Sequence, residues 1–250
     1  MAAPPIPGAG RETFHLPDGR RLDYLDLGAA GGTPAMYLHG SPSSASEARW
    51  LSRHASDASV RLIALDRPGY LRSSAPPEAT VTAVAADALA LADDLGLQRF
   101  GIAGFSGGGG YALALGRLAR DRATVIHLGG TIGSLADAPA GVGWPRRLMF
   151  RSVAGAPMLA RPLLSLAYRH VARRMQSKLS GSAAEAARYL FDGPARGAQI
   201  EAVERYIATS DPDDLAQEIA DYTSAMQATG AVIADVKAYA RRWPFDPSDI

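Results

Sequence analysis

Five residues constrain this chain more than any others: Gly104-Phe105-Ser106-Gly107-Gly108, directly after the apolar run Phe100-Gly101-Ile102-Ala103. A G-x-S-x-G placed after a short apolar run reads as a sharp turn from a buried strand into a helix. Such a turn holds the serine in strained backbone angles and lifts its hydroxyl clear of the sheet. The flanking residues are small because a Cβ there would collide with a neighbouring strand or helix. Gly109 and Gly110 lengthen the glycine run beyond what the turn needs. They either let the following helix pack closely or loosen its first turn. A phosphate cradle is a poor reading, because no G-x-x-x-x-G-K-[ST] is present. Read by itself, the pentapeptide also fits a Gly-rich turn without chemistry, so its companions along the chain decide.

Those companions sit in an alternating pattern. Glu12–Leu16 and Arg21–Leu27 flank Pro17-Asp18-Gly19 and predict an antiparallel hairpin. Ala35–Leu38 and Val60–Asp66 are compact apolar strands, with a short helix over Ala45–Ala55 between them. Thr80–Leu95 carries apolar residues at helical spacing, Arg99–Phe105 feeds the turn, Gly107–Arg120 is the helix leaving it, and Ala123–Leu128 is one more strand. Strands alternating with helices predict an α/β fold with a mostly parallel sheet covered on both faces. After Gly130 the alternation stops. From Leu148 to Arg241 the pattern is helical, with breaks expected at Pro162, Gly181, Gly193-Pro194, Pro212 and Gly230. Asp211-Pro212-Asp213-Asp214 marks one helix start: a cap, a proline at the first position, and acids at the positive end of the dipole. The expected organisation is a loose leader over residues 1–10, an α/β core over 11–135, a helical cap over 136–240 and a return segment to the core over 241–250.

Bulk properties exclude more than they assign. The 250 residues suffice for one large domain. The formal net charge of +1 gives no electrostatic reason to expect nucleic acid. Without cysteine there is neither a disulfide nor a thiolate metal site or nucleophile. Residues 1–7, with three prolines and no basic cluster, do not read as a signal peptide, and no apolar stretch of about 18 residues is present. The expected setting is soluble and cytoplasmic. Arg146 to Lys178 is basic without acids, and Glu185 to Asp221 is mainly acidic. Solvated helix faces that pair with each other are the plain reading of these runs; a basic rim for anionic substrates or lipid headgroups is the sharper one.

Three pieces carry chemistry, in order: His39-Gly40-Ser41-Pro42 at the end of one strand, Asp66-Arg67-Pro68-Gly69-Tyr70 at the end of the next, and the turn at Ser106. In this order and spacing the chain resembles the α/β-hydrolase superfamily, in its cap-bearing branch of esterases, lipases, cofactor-free haloperoxidases and epoxide hydrolases. The resemblance runs from about residue 12 to the end, where Trp243–Ile250 looks like the segment leading from cap to sheet. It implies that Ser106 is the nucleophile and that the backbone N–H groups of Gly107 and Ser41 are the oxyanion donors. It implies that His39 and Gly40 shape the oxyanion loop, with His39 not acting as the base, and that Asp66–Gly69 fixes a turn beside the site. No metal or organic cofactor is implied, and the partner is a small acyl or ester substrate. A serine at the turn argues against epoxide hydrolases and dehalogenases, which carry an aspartate there.

The family order is Ser, then Asp or Glu, then His. After Ser106 only His127 and His170 remain. His127 lies inside a strand and reads as buried or sheet-flanking; His170 lies in the basic segment and reads as surface or packing. Asp137 is a weakly placed alternative acid. The resemblance places the usual acid and histidine beyond Ile250, so two readings stay open. One is a serine hydrolase lacking its last strands; the other is a short form that binds a ligand without hydrolysis or needs a partner chain. Either leaves the Ala123–Leu128 strand as an open edge and predicts self-association.

Overall fold

The computed structural model describes residues 10–131, 133–136, 143–179, 182–191 and 198–250. Its sheet has six strands: β1 (Glu12–His15), β2 (Arg21–Gly28), β3 (Thr33–Leu38), β4 (Val60–Leu65), β5 (Phe100–Phe105) and β6 (Ala123–Gly129). Their spatial order is β1-β2-β4-β3-β5-β6. The β1–β2 and β2–β4 pairs are antiparallel; β4–β3, β3–β5 and β5–β6 are parallel. The hairpin forms where Pro17-Asp18-Gly19 predicts it, with Gly19 at φ +82°.

Strands β3, β4 and β5 alternate with period two and bury both faces along most of their length. Met36, Leu38, Ile63, Leu65, Phe100 and Ile102 enter one cluster with α2 (Val81–Asp94) and α3 (Gly109–Ala119). Tyr37, Leu62, Ala64, Leu25 and Leu27 enter a second, against the segment that runs from a short 3-10 turn into α1 (Arg49–Asp57). Thr80 caps α2, its hydroxyl accepting from the Ala83 amide at 3.1 Å.

The remaining described helices follow the sheet: α4 (Trp144–Gly155), α5 (Pro157–Leu179), α6 (Ala183–Phe191), α7 (Ala198–Thr209), α8 (Pro212–Gln227) and α9 (Thr229–Ala240). Ala172, Met175, Ala186, Ala187, Leu215 and Ile219 form a core shared by α5, α6 and α8, whereas Ala238 and Tyr239 of α9 join the cluster under the sheet. Asp211 caps α8 as expected, accepting from the amides of Asp213 and Asp214. Pro162 does not break the chain and lies inside α5. The proline removes only the bond to the Met158 carbonyl. Met158 is 88% exposed, so water can take that carbonyl instead. The break expected at Gly230 falls just before it, at Ala228, and those expected at Gly181 and Gly193-Pro194 lie outside the described residues.

Of the basic and acidic runs, Lys178 pairs with Glu185, while Arg151, Arg161, Arg169, Arg173 and Arg174 are exposed. Arg188–Glu204 pairs within the acidic run, and Arg49–Asp214 ties that run to α1. On the far side of the sheet, β6 is an edge among the described residues, with Val125 62% exposed. No described helix is long and apolar enough to cross a membrane.

Candidate active site

All three motifs leave the C-terminal ends of adjacent parallel strands. Leu38 stands beside Leu65 of β4 on one side and beside Gly104 of β5 on the other. The next residues, His39, Asp66 and Phe105-Ser106, therefore emerge side by side at one edge of the sheet, where open α/β sheets bind ligands. The fold brings together residues far apart in sequence by register alone.

Ser106 has φ +48°, a left-handed angle unusual for a residue with a Cβ. Its neighbours explain why glycine surrounds it. A Cβ on Gly104 would lie 2.7 Å from the Ala112 Cβ, and one on Gly108 would lie 2.0 Å from the Leu38 carbonyl oxygen. The run continues for the same reason: a Cβ on Gly109 would strike Thr131 at 2.0 Å, and one on Gly110 would strike the Trp243 ring at 2.6 Å. Close packing, not a loosened first turn, accounts for the extra glycines. Thr131 then ties the turn down, its hydroxyl donating to the Ser106 carbonyl at 2.8 Å.

The elbow meets the His39–Pro42 loop directly. A Cβ on Gly107 would stand 3.1 Å from the Ser41 nitrogen, and one on Gly40 would stand 3.4 Å from the Ser106 Cβ. Ser106, Gly107, Gly40 and Ser41 are thus one cluster. The Ser41–Pro42 peptide is cis.

His39 belongs to the loop's support. It is fully buried, and both ring nitrogens are occupied. Nε2 accepts from the Arg67 amide at 3.0 Å, which places the proton on Nδ1, 2.7 Å from the Gly40 carbonyl oxygen. Burial and the neighbouring Arg67 hold its pKa well below the ordinary histidine value. A neutral imidazole with neither nitrogen free cannot take a proton from Ser106. His127 and His170 are both exposed, the first on edge strand β6 and the second on α5. His127 is therefore not buried as one expectation held: it is exposed because β6 has no described strand on its outer side. Asp137 lies outside the described residues. Among the described residues, none hydrogen-bonds the Ser106 hydroxyl.

Sequence reasoning did not find the residues that hold this loop. Glu47 accepts from the Gly40 amide at 3.0 Å and from the Tyr37 hydroxyl at 2.7 Å. Burial pushes its pKa up. Arg67 is 1% exposed and forks onto Asp235 of α9 at 2.6 and 2.9 Å. The hydroxyls of Tyr70 and Tyr111 also donate to Asp235, each at 2.6 Å. Asp66 accepts from the Ala45 amide at 2.7 Å and pairs with Arg11. Its pKa is pushed up to about 6 by burial, against the pull of Arg11. The turn after it closes through Tyr70 N–H to Arg67 C=O and Ser73 N–H to Tyr70 C=O, each 3.0 Å, with Gly69 at φ +90°. The described residues contain no cluster of three or more His, Asp or Glu able to hold a metal ion.

A strained serine between β5 and α3, set against the loop after β3 in a β1-β2-β4-β3-β5-β6 sheet, defines the class of α/β hydrolases. The pattern of the alpha/beta hydrolase family matches residues 36–246, and the chain belongs to that family. A curated relative is the dihydrolipoyllysine-residue acetyltransferase component of the acetoin cleaving system of Pseudomonas putida. The two are 36% identical over 112 residues, 44% of this chain, and the match spans only 30% of that protein. Among solved structures, the epoxide hydrolase CorEH superposes with a TM-score of 0.64 at 21% identity, covering 92% of this chain and 72% of that one. An α/β-hydrolase-fold protein from Nakamurella multipartita gives 0.55 at 23%, covering 92% and 74%. Cfl2 from Burkholderia cenocepacia gives 0.57 at 18%, covering 88% and 72%. At these identities the likeness is one of fold.

Proposed function

We propose that this chain is a serine hydrolase of the α/β-hydrolase type, acting on small ester-like or acyl substrates. The observation that carries the reading is the left-handed Ser106 packed against Gly40 and Ser41. In this scheme Ser106 Oγ attacks the carbonyl carbon. The developing oxyanion takes hydrogen bonds from the amides of Gly107 and Ser41, each worth about 2.7–4 kcal/mol. As the acyl–oxygen bond breaks, the proton lost by Ser106 Oγ leaves on the departing alcohol; water then attacks the acyl-enzyme, releasing the carboxylic acid and returning a proton to Ser106 Oγ. The elbow serine, in place of an aspartate, favours acyl substrates over epoxides. Helices α4–α9 act as the cap and set specificity.

The histidines of the described chain are locked or exposed, and none reaches the Ser106 hydroxyl, so turnover by this chain alone is expected to be low. That same observation favours a second reading: a ligand-binding or partner-dependent module on the same fold. A fluorophosphonate probe separates the two. Labelling that Ser106→Ala abolishes supports the hydrolase, with a base supplied. Absent labelling with retained ligand binding supports the binder. Rapid turnover of p-nitrophenyl acetate, lost in Ser106→Ala, would overturn the expectation of low activity.

A further inference from the structure

We propose that Arg67, clamped by Asp235, is a positioning residue that aims the Ser41 N–H at the oxyanion position. The inference deepens the proposed function and rests on the donor role of Ser41.

Peptide geometry sets where each amide of this loop points. Arg67 Nε donates to the His39 carbonyl at 3.0 Å, and Nη2 donates to the Gly40 carbonyl at 2.9 Å. Two successive carbonyls therefore turn toward one buried guanidinium. In a planar trans peptide the N–H points opposite to the C=O. Pinning the His39 carbonyl must then turn the Gly40 N–H away from Arg67, and that amide indeed lands on Glu47 at 3.0 Å. Pinning the Gly40 carbonyl turns the Ser41 N–H away in the same manner. Gly107 lies against this nitrogen, where a Cβ would come within 3.1 Å. Among the described residues the Ser41 N–H has no acceptor. The loop thus spends one amide on Glu47 and leaves the next one free at the elbow.

The clamp is rigid. Asp235 holds both Nη atoms of Arg67 in a fork, which fixes the guanidinium plane. The rings of Tyr70 and Tyr111 lie 5.0 and 4.7 Å from its central carbon. The Tyr70 hydroxyl donates to Asp235 and stands 2.8 Å from Ser41 Oγ, so it can accept from the serine. Ser41 is held through its side chain and through the carbonyl before it. Asp235 comes from α9, 168 residues after Arg67. The helical segment therefore supplies the part that fixes the loop.

Arg67→Lys keeps the charge and loses the fork; a single ammonium cannot span both carbonyls and Asp235. The test is the rate of Ser106 labelling by a fluorophosphonate, resolved into affinity and inactivation rate, for wild type, Arg67→Lys and Tyr70→Phe. Losing an oxyanion donor outright costs about 10²–10³ in rate. Mis-aiming one is expected to lower the inactivation rate of Arg67→Lys about tenfold to a hundredfold. Affinity should stay within about twofold, since the donor acts on developing charge. Tyr70→Phe should show a smaller loss in the same rate constant. A merely structural role would lower the melting temperature and leave the inactivation rate of folded protein unchanged, which overturns the proposal. The amide resonance of Ser41 is a second readout that needs no reactivity. It should move in Arg67→Lys while that of Gly129 stays. If wild type does not label, the hydrolase reading fails, and an unmoved Ser41 resonance then overturns the clamp on its own.

Discussion

Ser106→Gly should stabilise the protein while removing its proposed nucleophile. Ser106 sits at φ +48°. A left-handed angle costs a residue with a Cβ about 1–2 kcal/mol, and glycine escapes that cost. Glycine also has the freer unfolded chain, which takes back about 0.4–1 kcal/mol. Taken at the middle of both ranges, the net gain is about 0.8 kcal/mol. For chains of this size each kcal/mol moves the melting temperature by about 2–4 °C, so Ser106→Gly should melt about 1–4 °C above wild type. Ser106→Ala keeps the Cβ at the same angle and should stay within about 0.5 kcal/mol of wild type. Ser59 provides the control: it is exposed, has φ +56° and lies between α1 and β4, away from the site. Ser59→Gly should rise by a similar amount. Calorimetric melting of the three variants reads the result. If Ser59→Gly rises and Ser106→Gly melts no higher than Ser106→Ala, the elbow is not strained and the argument for a stressed serine collapses.

Gly108→Ala should be severely destabilising, because its Cβ would lie 2.0 Å from the Leu38 carbonyl oxygen and 2.7 Å from that of His39. Strand β3 is bonded on both sides and cannot retreat, so the loss should reach about 3 kcal/mol or more. Gly31→Ala, with nothing within 4 Å, should change the melting point little, and equal losses in the two would refute the packing argument. Glu218, buried and bonded to Trp50 and Tyr206, has its pKa pushed up to about 7 by burial. A raised carboxyl pKa means the folded state holds the proton more tightly, so this contribution is full below about pH 4 and is lost as pH rises through about 7. Glu218→Gln should therefore flatten the decline of stability between about pH 5 and 8, by an amount on the order of 2–3 kcal/mol; an unchanged pH profile in denaturant melts would count against it. Val125→Lys, on an exposed edge position, should reduce concentration-dependent light scattering with little change in melting temperature, since a charge on an edge opposes strand pairing. Equal scattering would show that association, where present, uses another surface.

The fold was readable because its signals are local. Period-two apolar runs mark the strands, Pro-Asp-Gly marks the hairpin and Asp211-Pro212 marks a helix start, each within a few residues. Pro162 lies inside α5 where the sequence predicts a break. Proline's rule concerns a lost hydrogen bond and a clash, and the bond it removes belongs to an exposed turn where water compensates. The glycine run carried two opposed readings in sequence. Only the neighbours decide between them, and those neighbours are Leu38, Thr131 and Trp243, none of which is adjacent in the chain.

The site divides along the same line. Ser106, Gly107, Gly40 and Ser41, each in a short motif with a stereochemical requirement, do come together as one cluster. Arg67 was legible only as part of a turn, and Asp235 not at all: an aspartate inside the apolar helix Thr229–Ala240 carries no motif. Its meaning comes from four donors that converge on two oxygens, two from Arg67 and one each from Tyr70 and Tyr111. That saturation also limits what Asp235 can do. A carboxylate that orients a catalytic histidine needs a free lone pair for the ring N–H. Asp235 has its strong acceptor positions filled by a guanidinium and two phenols, all buried. Removing one would leave a buried charge or hydroxyl unpaired, at a cost of about 1–3 kcal/mol or more. Asp235 is therefore committed to holding Arg67, which under the proposed reading steers the Ser41 amide, and it is not free to relay a proton to Ser106.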